Sequence, residues 1–293
     1  MHDPNKIEQY IKVLEELLSN LKAEKEKAED IIRRDNYLAE FTQLRMMINS
    51  GHPWPMAVPH EALCDPNSED HKKDRAIGIL EGLPSLTDLA FLDFGCGQGH
   101  VSIQALNQNP VISIGYDIEK QWQDTPQDKL ILTTNFSEIE AAGPFDVILC
   151  NDVLDHAENE SPIEILKKIK NLCHDDSPIY IRCHPWTSRH ATHLYHQINK
   201  AYLHLVFSEL ELLKLGCKGI PALKTTNPLA IYRQWFAEAN LSIHSEVPFE
   251  NNMESFFANY EIVSRRIKQN CGLDILPIDA CNLEFVDFLC IKS

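Results

Sequence analysis

The chain has 293 residues, 44% hydrophobic and 24% charged, with 43 Asp and Glu against 27 Lys and Arg and a formal net charge of −16. This composition excludes wholesale disorder, and the acidity, with no local basic patch, argues against nucleic acid as a partner. No apolar run approaches the roughly 20 residues needed to cross a bilayer. The start, Met1-His2-Asp3-Pro4-Asn5, lacks the charged and then apolar pattern of a secretory signal. Nine scattered cysteines without a Cys-x-x-Cys pair read as reduced thiols of a cytoplasmic protein.

In chain order, Ile7, Tyr10, Leu14, Leu17, Leu21, Ala28 and Ile31 recur at three-four spacing among Glu, Lys, Gln and Asn, which predicts an amphipathic helix over the first 35 residues. Asp3 or Asn5 is its expected cap. It has two readings, a dimerising coiled coil or a helix laid on its own domain or on a second helix, Asn36–Ile48. The second is preferred because the repeat is short and Ile11 and Leu18 widen the stripe. Prolines at 53, 55, 59 and 66 mark a loop before a helix over Ser68–Leu83, with Ile77, Leu80 and Leu83 inward. Residues 1–67 thus read as an extension and 68–293 as one domain.

From there apolar strand-like runs alternate with helical segments. The strands are Leu89–Phe94, Val111–Tyr116, Leu130–Thr133, Phe145–Cys150, Ile179–Cys183, Ser242–Val247 and Phe285–Ile291. The helices are Val101–Asn107, Pro162–Leu172, His190–Leu215, Pro228–Ala239 and Met253–Gln269. Short continuous apolar strands separated by helices predict an α/β fold, a doubly wound, mostly parallel seven-stranded sheet.

Phe91-Leu92-Asp93-Phe94-Gly95-Cys96-Gly97-Gln98-Gly99-His100 carries the strongest chemical signal. A strand runs into an acid and three alternating glycines, a turn whose backbone a ligand can approach at the carboxyl end of the sheet. The third glycine falls one position early for the dinucleotide pattern G-x-G-x-x-G. A second strand, Val111–Tyr116, ends in Asp117, 24 positions after Asp93. A third, Phe145–Cys150, leads into Asn151-Asp152-Val153-Leu154-Asp155-His156.

The D-x-G-x-G-x-G spacing, the acidic strand end and the fourth-strand loop together resemble the class I S-adenosylmethionine-dependent methyltransferases over about Ser68–Ser293. The resemblance implies a Rossmann-like sheet with antiparallel sixth and seventh strands and S-adenosyl-L-methionine as cofactor. It implies that Gly95, Gly97 and Gly99 shape the cofactor loop, that Asp93 supports the methionine end and that Asp117 holds the ribose. Asn135 and Phe136 fall at the adenine position, where the family usually carries Asp followed by a small or apolar residue. Asn151 and Asp152 fall at the neighbouring edge.

The acceptor is less legible. The fourth-strand loop lacks the Pro-Pro-aromatic run of amino-methylating DNA enzymes, and Cys183, in Cys183-His184-Pro185, is not next to a proline as the nucleophile of pyrimidine methylases typically is. Both departures disfavour nucleic acid. Arg182–His196, after the fifth strand, should border the acceptor. His184, His190 and His156 are the candidate proton acceptors, with His193 a weaker one. Arg182 and Arg189 are candidate binders of an acceptor carboxylate or phosphate, and Trp186 a wall. Histidines 190, 193, 196 and 204 share one expected helix, yet no metal-binding pattern supports them, and no metal is expected. The sequence therefore points to methyl transfer to an O or N of a small polar molecule such as a sugar, without a membrane partner. The alternatives are a protein methyltransferase recruited through the N-terminal helix and a catalytically idle scaffold. A homodimer through that helix stays open.

Overall fold

The computed structural model describes residues 4–50, 54–58, 68–123, 127–157, 160–218, 228–251, 253–271 and 281–293. The chain divides into two compact units, Met1–Trp54 and Pro55–Ser293.

The first unit is dominated by one helix, α1 (Pro4–Asn49). The sequence reading places two helices here. None of residues 5–50 is glycine or proline, so nothing interrupts the hydrogen-bond ladder and the two merge. Leu14, Leu17, Leu18, Leu21 and Ile31 are all more than half exposed. Asp3 and the side chains of Ile7, Tyr10 and Ile11 lie outside the described residues, and Asn5 is inside the helix.

The second unit is the expected doubly wound sheet. Its strands are β1 (Ala90–Phe94), β2 (Ile112–Tyr116), β3 (Leu130–Thr133), β4 (Val147–Asn151), β5 (Ile179–Cys183), β6 (Leu241–Glu250) and β7 (Leu283–Lys292). Their order is β3-β2-β1-β4-β5-β7-β6. The first five pair in parallel, and β7 lies antiparallel to both β5 and β6. Only β7 therefore opposes the rest of the sheet, since β6 runs with the first five.

The central strands are apolar on both faces because helices cover both. On one face Leu92, Ile114, Ile148 and Ile181 pack with α4 (Phe136–Ala142), α5 (Pro162–Asn171) and α8 (Leu229–Glu238), through Ile139, Leu166, Ile169 and Phe236. On the other, Phe91, Val147 and Leu149 pack with α2 (Glu69–Glu81) and α3 (His100–Ala105), through Leu80 and Ala105. Ser68 caps α2, its hydroxyl accepting from His71 N at 3.1 Å. The buried stripe of α2 is Ala76 and Leu80, whereas Ile77, expected inward, is 38% exposed. Helix α4 was missed because seven residues hold too little periodicity. Its signal is Asn135, whose amide oxygen caps it by accepting from Ser137 N.

The largest departure follows β5. The expected helix His190–Leu215 is replaced by turns, a single 3₁₀ turn at Leu194–His196, and the short helices α6 (Leu203–Val206) and α7 (Glu209–Lys214). His193 and Tyr202 adopt positive φ, 54° and 61°, which breaks any continuous helix. The histidines at 190, 193, 196 and 204 accordingly do not share a helix face. The segment Met253–Gln269 likewise splits into α9 (Glu254–Asn259) and α10 (Glu261–Cys271). Phe257 packs its ring 5.3 Å from that of Tyr202, so these aromatics serve the core. Pro55–Val58 is tied to the same insertion: Asn199 accepts from Ala57 N and Val58 N at 3.0 Å each, and Pro55 O accepts from Ala201 N.

Glu211 anchors the insertion. Its carboxylate accepts from Ser208 N and Oγ in a capping box and lies 3.2 Å from Arg266 of α10, with both charged side chains buried. Arg266→Ala strands that carboxylate without its cation and is expected to cost about 3–5 kcal/mol in urea unfolding. A loss under about 1 kcal/mol would contradict the buried pair.

Candidate active site

The carboxyl ends of β1, β4 and β5 border two clefts. The first has a volume of about 380 Å³, and its walls include Asp93, Gly95, Gly97, Asn151 and Asp152. Backbone bonds hold the glycine turn rigid: Gly95 N and Cys96 N both donate to Tyr116 O, at 2.7 and 3.0 Å. Gly95 has φ +82°, and a Cβ there would run into the Val153 side chain. Gly97 has φ +52°, and a Cβ there would meet open space, so its bare backbone faces room for a ligand. Gly99 serves instead as the N-cap residue of α3.

Asp93 is buried at the end of β1 and accepts from Ser102 Oγ at 2.8 Å. Burial pushes its carboxyl up to about 6, against the Ser102 hydrogen bonds. Asp117 accepts from Gly97 N at 2.8 Å and from Glu119 N at 3.2 Å, so it ties the glycine turn to the end of β2. Asn135 is committed to capping α4, and Phe136 packs edge-on against Tyr116 at 5.7 Å. Asp117, Asn135 and Phe136 are not among the described walls of this cleft.

The first cleft also holds residues the sequence reading passed over. Lys72 and Arg75, on α2, line it. The available signal was a pair of basic residues one helical turn apart on the helix that precedes β1. Arg75 donates to Asp152 Oδ2 at 2.8 Å.

The second cleft, about 280 Å³, shares Arg75 and Asp152 with the first and adds His156, His184, His190 and Tyr195 among its walls. All three histidines expected to border an acceptor are thus brought together, with different chemistry at each. His184 Nδ1 faces Glu284 O at 3.0 Å and Nε2 faces Asp152 Oδ1 at 3.0 Å. Both nitrogens face acceptors, which only the imidazolium satisfies. Burial opposes that cation, yet the Asp152 carboxylate, helped by Asp155 and the Glu284 carbonyl, raises it above its ordinary value. Asp152 pays burial too, and the His184 and Arg75 charges pull its carboxyl well below the usual range.

His190 packs edge-on to His184 at 4.9 Å, and burial with the His184 charge lowers it to about 3. His193 is lowered to about 4, by burial first and then by His156, and its Nδ1 lies 3.1 Å from Tyr195 Oη. His204 is lowered to about 4 by burial and its Nε2 donates to Trp186 O at 2.7 Å. His156 is 46% exposed and stacks on His193 at 5.1 Å.

The arginines expected to bind an acceptor are taken by this chain's own carboxylates. Arg182 Nε and Nη2 donate to Asp287 of β7, both at 2.6 Å, and its guanidinium lies 3.9 Å from the Phe285 ring. Arg189 donates to Glu284 at 2.9 Å. Trp186 lines neither cleft. Cys183 is fully buried, and burial pushes its thiol well above the ordinary value, which fits a structural thiol. Among the described residues no three His, Cys, Asp or Glu side chains are placed to hold a metal ion. No helix among them is long and apolar enough to cross a membrane.

Residues 71–216 match a family model described as a methyltransferase domain. Two curated relatives, both named ubiquinone biosynthesis O-methyltransferase and both from Rickettsia bellii, are 27% identical over 105 residues, covering 31% of this chain and 44% of the relative. The match thus spans less than half the length of those relatives. Solved structures similar to the chain include a SAM dependent methyltransferase from Archaeoglobus fulgidus, with TM-score 0.49, 13% identity, and coverage of 80% of this chain and 100% of that one. Another is magnesium protoporphyrin IX methyltransferase from Synechocystis PCC 6803 with bound SAH, with TM-score 0.46, 15% identity, and coverage of 90% of this chain and 100% of that one. The family model, the glycine turn and the seven-stranded topology agree, and the chain belongs to the class I S-adenosylmethionine-dependent methyltransferase family, whose methyl donor is S-adenosyl-L-methionine.

Proposed function

We propose that this chain transfers a methyl group from S-adenosyl-L-methionine to an oxygen or nitrogen of a small polar molecule held in the second cleft. The observation that carries the reading is the shared wall of Arg75 and Asp152, which sets the second cleft directly beside the glycine turn. The bare backbone at Gly97 and the unpartnered, buried Asn151 Oδ1 fit a polar cofactor in the first cleft. There the cofactor supplies a methyl group bonded to a cationic sulfur.

In this reading Lys72 and Arg75 face the cofactor's carboxylate, Asp93 supports the glycine turn from beneath, and Gly95, Gly97 and Gly99 shape it. Asp117 accepts from the ribose hydroxyls with the lone pairs that Gly97 N and Glu119 N leave free, and Asn135 and Phe136 border the adenine. His184 acts as a cationic tether between the loops after β4 and β5, since neither ring nitrogen has a lone pair to spare. His190 is a neutral wall, and positioning supplies most of the rate. A cytoplasmic setting belongs to the same reading, on the strength of the buried unpaired thiols Cys150, Cys183 and Cys290. The aliphatic side chains of α1 at Leu14, Leu17, Leu21 and Ile31, each more than half exposed, support a homodimer over a recruitment arm for a protein substrate, because a second copy of the helix offers the same apolar residues to cover them.

Calorimetric titration with S-adenosyl-L-methionine is expected to show saturable binding, and no heat at millimolar cofactor would remove the function. Asp117→Ala is expected to weaken that binding by about 1–3 kcal/mol. Unchanged affinity would take Asp117 out of the site.

The His184–Asp152 pair sets a pH window. The raised imidazole contributes stability that is complete below its ordinary value and is lost as pH rises through the raised one. The depressed Asp152 contributes stability present above the ordinary carboxylate value and lost as pH falls through the depressed one. Melting temperature should therefore decline on the alkaline side in the wild type and more shallowly in His184→Gln. Parallel curves would exclude a charged His184. For self-association, sedimentation of the full chain is expected to give a dimer that Leu17→Glu with Leu21→Glu converts to monomer. A wild-type monomer would exclude the homodimer.

A further inference from the structure

His156 and Asp155 form the 3₁₀ turn that follows β4, in the wall of the second cleft. Asp155 is 5% exposed. Its Oδ1 has no hydrogen-bond partner among the described residues, and its Oδ2 lies 3.8 Å from His156 Nε2. An unpaired carboxylate in such a place is costly unless a cation comes to meet it. The other carboxylate of the loop, Asp152, is already neutralised by His184 and Arg75. His156 differs from its neighbours in the opposite sense, being 46% exposed, in the wall of the cleft, with no hydrogen bond at its Nδ1 among those described.

We infer that Asp155 is a positioning residue that holds the His156 ring with its proton on Nε2, so that Nδ1 takes the proton of the acceptor. This rests on the methyl-transfer reading and assigns the proton to one of its three candidate histidines. The acceptor's X–H proton passes to Nδ1 while the lone pair on X forms the bond to the methyl carbon. The carbon–sulfur bond breaks with its electron pair left on sulfur. The imidazolium then faces the Asp155 carboxylate, which gains the cation it lacked, and the half-exposed ring returns the proton to water. A separation of 3.8 Å is longer than a hydrogen bond and shortens as the ring becomes charged. Burial, with Asp152 acting in the same direction, raises Asp155 above its ordinary value, opposed by His156 and His184. Asp155 on its own turn and His193 in the segment after β5 contact His156, and the other charged and titratable groups of the same cleft are Arg75 on α2, Asp152 at the end of β4, Arg182 at the end of β5, His184, His190 and Tyr195 after it, and Glu284 of β7.

The test has two arms, on the full chain saturated with S-adenosylhomocysteine and on turnover. In the first, ¹⁵N NMR of the imidazoles, with His156→Gln for assignment, is expected to find the neutral His156 protonated on Nε2, and Asp155→Ala is expected to release it to a mixture of tautomers. A wild-type ring protonated on Nδ1, or one indifferent to Asp155, overturns the pair, and the wild-type spectrum decides this even where the variant does not fold. In the second arm, labelled methyl transfer into a small-molecule extract is expected to fall about 10²-fold or more in His156→Gln. Asp155→Asn is expected to slow it less and to move the acid limb of its pH profile to lower pH, which a merely structural role would not do. Full rates with an unmoved profile overturn the pair alone. A wild-type chain that labels no small molecule overturns the methyl-transfer reading and with it the catalytic role, while the NMR arm still reports the tautomer.

Discussion

Asp152 joins three elements at one partly buried carboxylate. It receives Arg75 from α2, His184 from the end of β5 and the Asn151 amide beside it, at 2.8, 3.0 and 2.9 Å. A carboxylate this enclosed is stable only with its cations in place. The consequence is geometric: α2, the loop after β4 and the loop after β5 are fixed to one another, and both clefts take a wall from the same residue. Its positive φ of 57° marks the strain of that turn, held by the partners around it.

The same electrostatics sorts the histidines. All begin near pKa 6.5, and the spacing along the chain treats them as equivalent. His184 becomes a cation because both its nitrogens meet acceptors. His190, His193 and His204 become neutral because burial removes solvent without supplying a carboxylate at hydrogen-bond distance. His156 alone of those lining the second cleft keeps nearly half of its surface open. A place beside the second cleft therefore does not make the rings equivalent: His184 has both nitrogens facing acceptors, and the rings that stay neutral differ in how far they are open.

The acidic composition gains a local meaning as well. Arg182 and Arg189 have the fork geometry suited to an anionic ligand. In an acidic chain, however, β7 presents Asp287 and Glu284 directly opposite them, and the forks close internally. The strand that reverses the sheet direction thereby locks the post-β5 segment. The cations left beside the first cleft are those of α2.

What the sequence by itself determined was everything carried by local pattern: the strands and their order of appearance, the glycine turn, the acids at the ends of β1 and β2, and hence the family and its cofactor. These features depend on residues within one turn or strand of each other. Tertiary structure decided the rest. Whether 190–215 formed one helix and which way β6 ran depended on backbone geometry that composition does not encode. Arg75 could be joined to Asp152 only by folding, since 77 positions separate them. So it was for His184 and Glu284, 100 positions apart, whose contact occupies one ring nitrogen of a candidate base. A hydrogen bond or ion pair between distant residues has no periodicity to announce it, because its partners meet only where the carboxyl ends of adjacent strands converge.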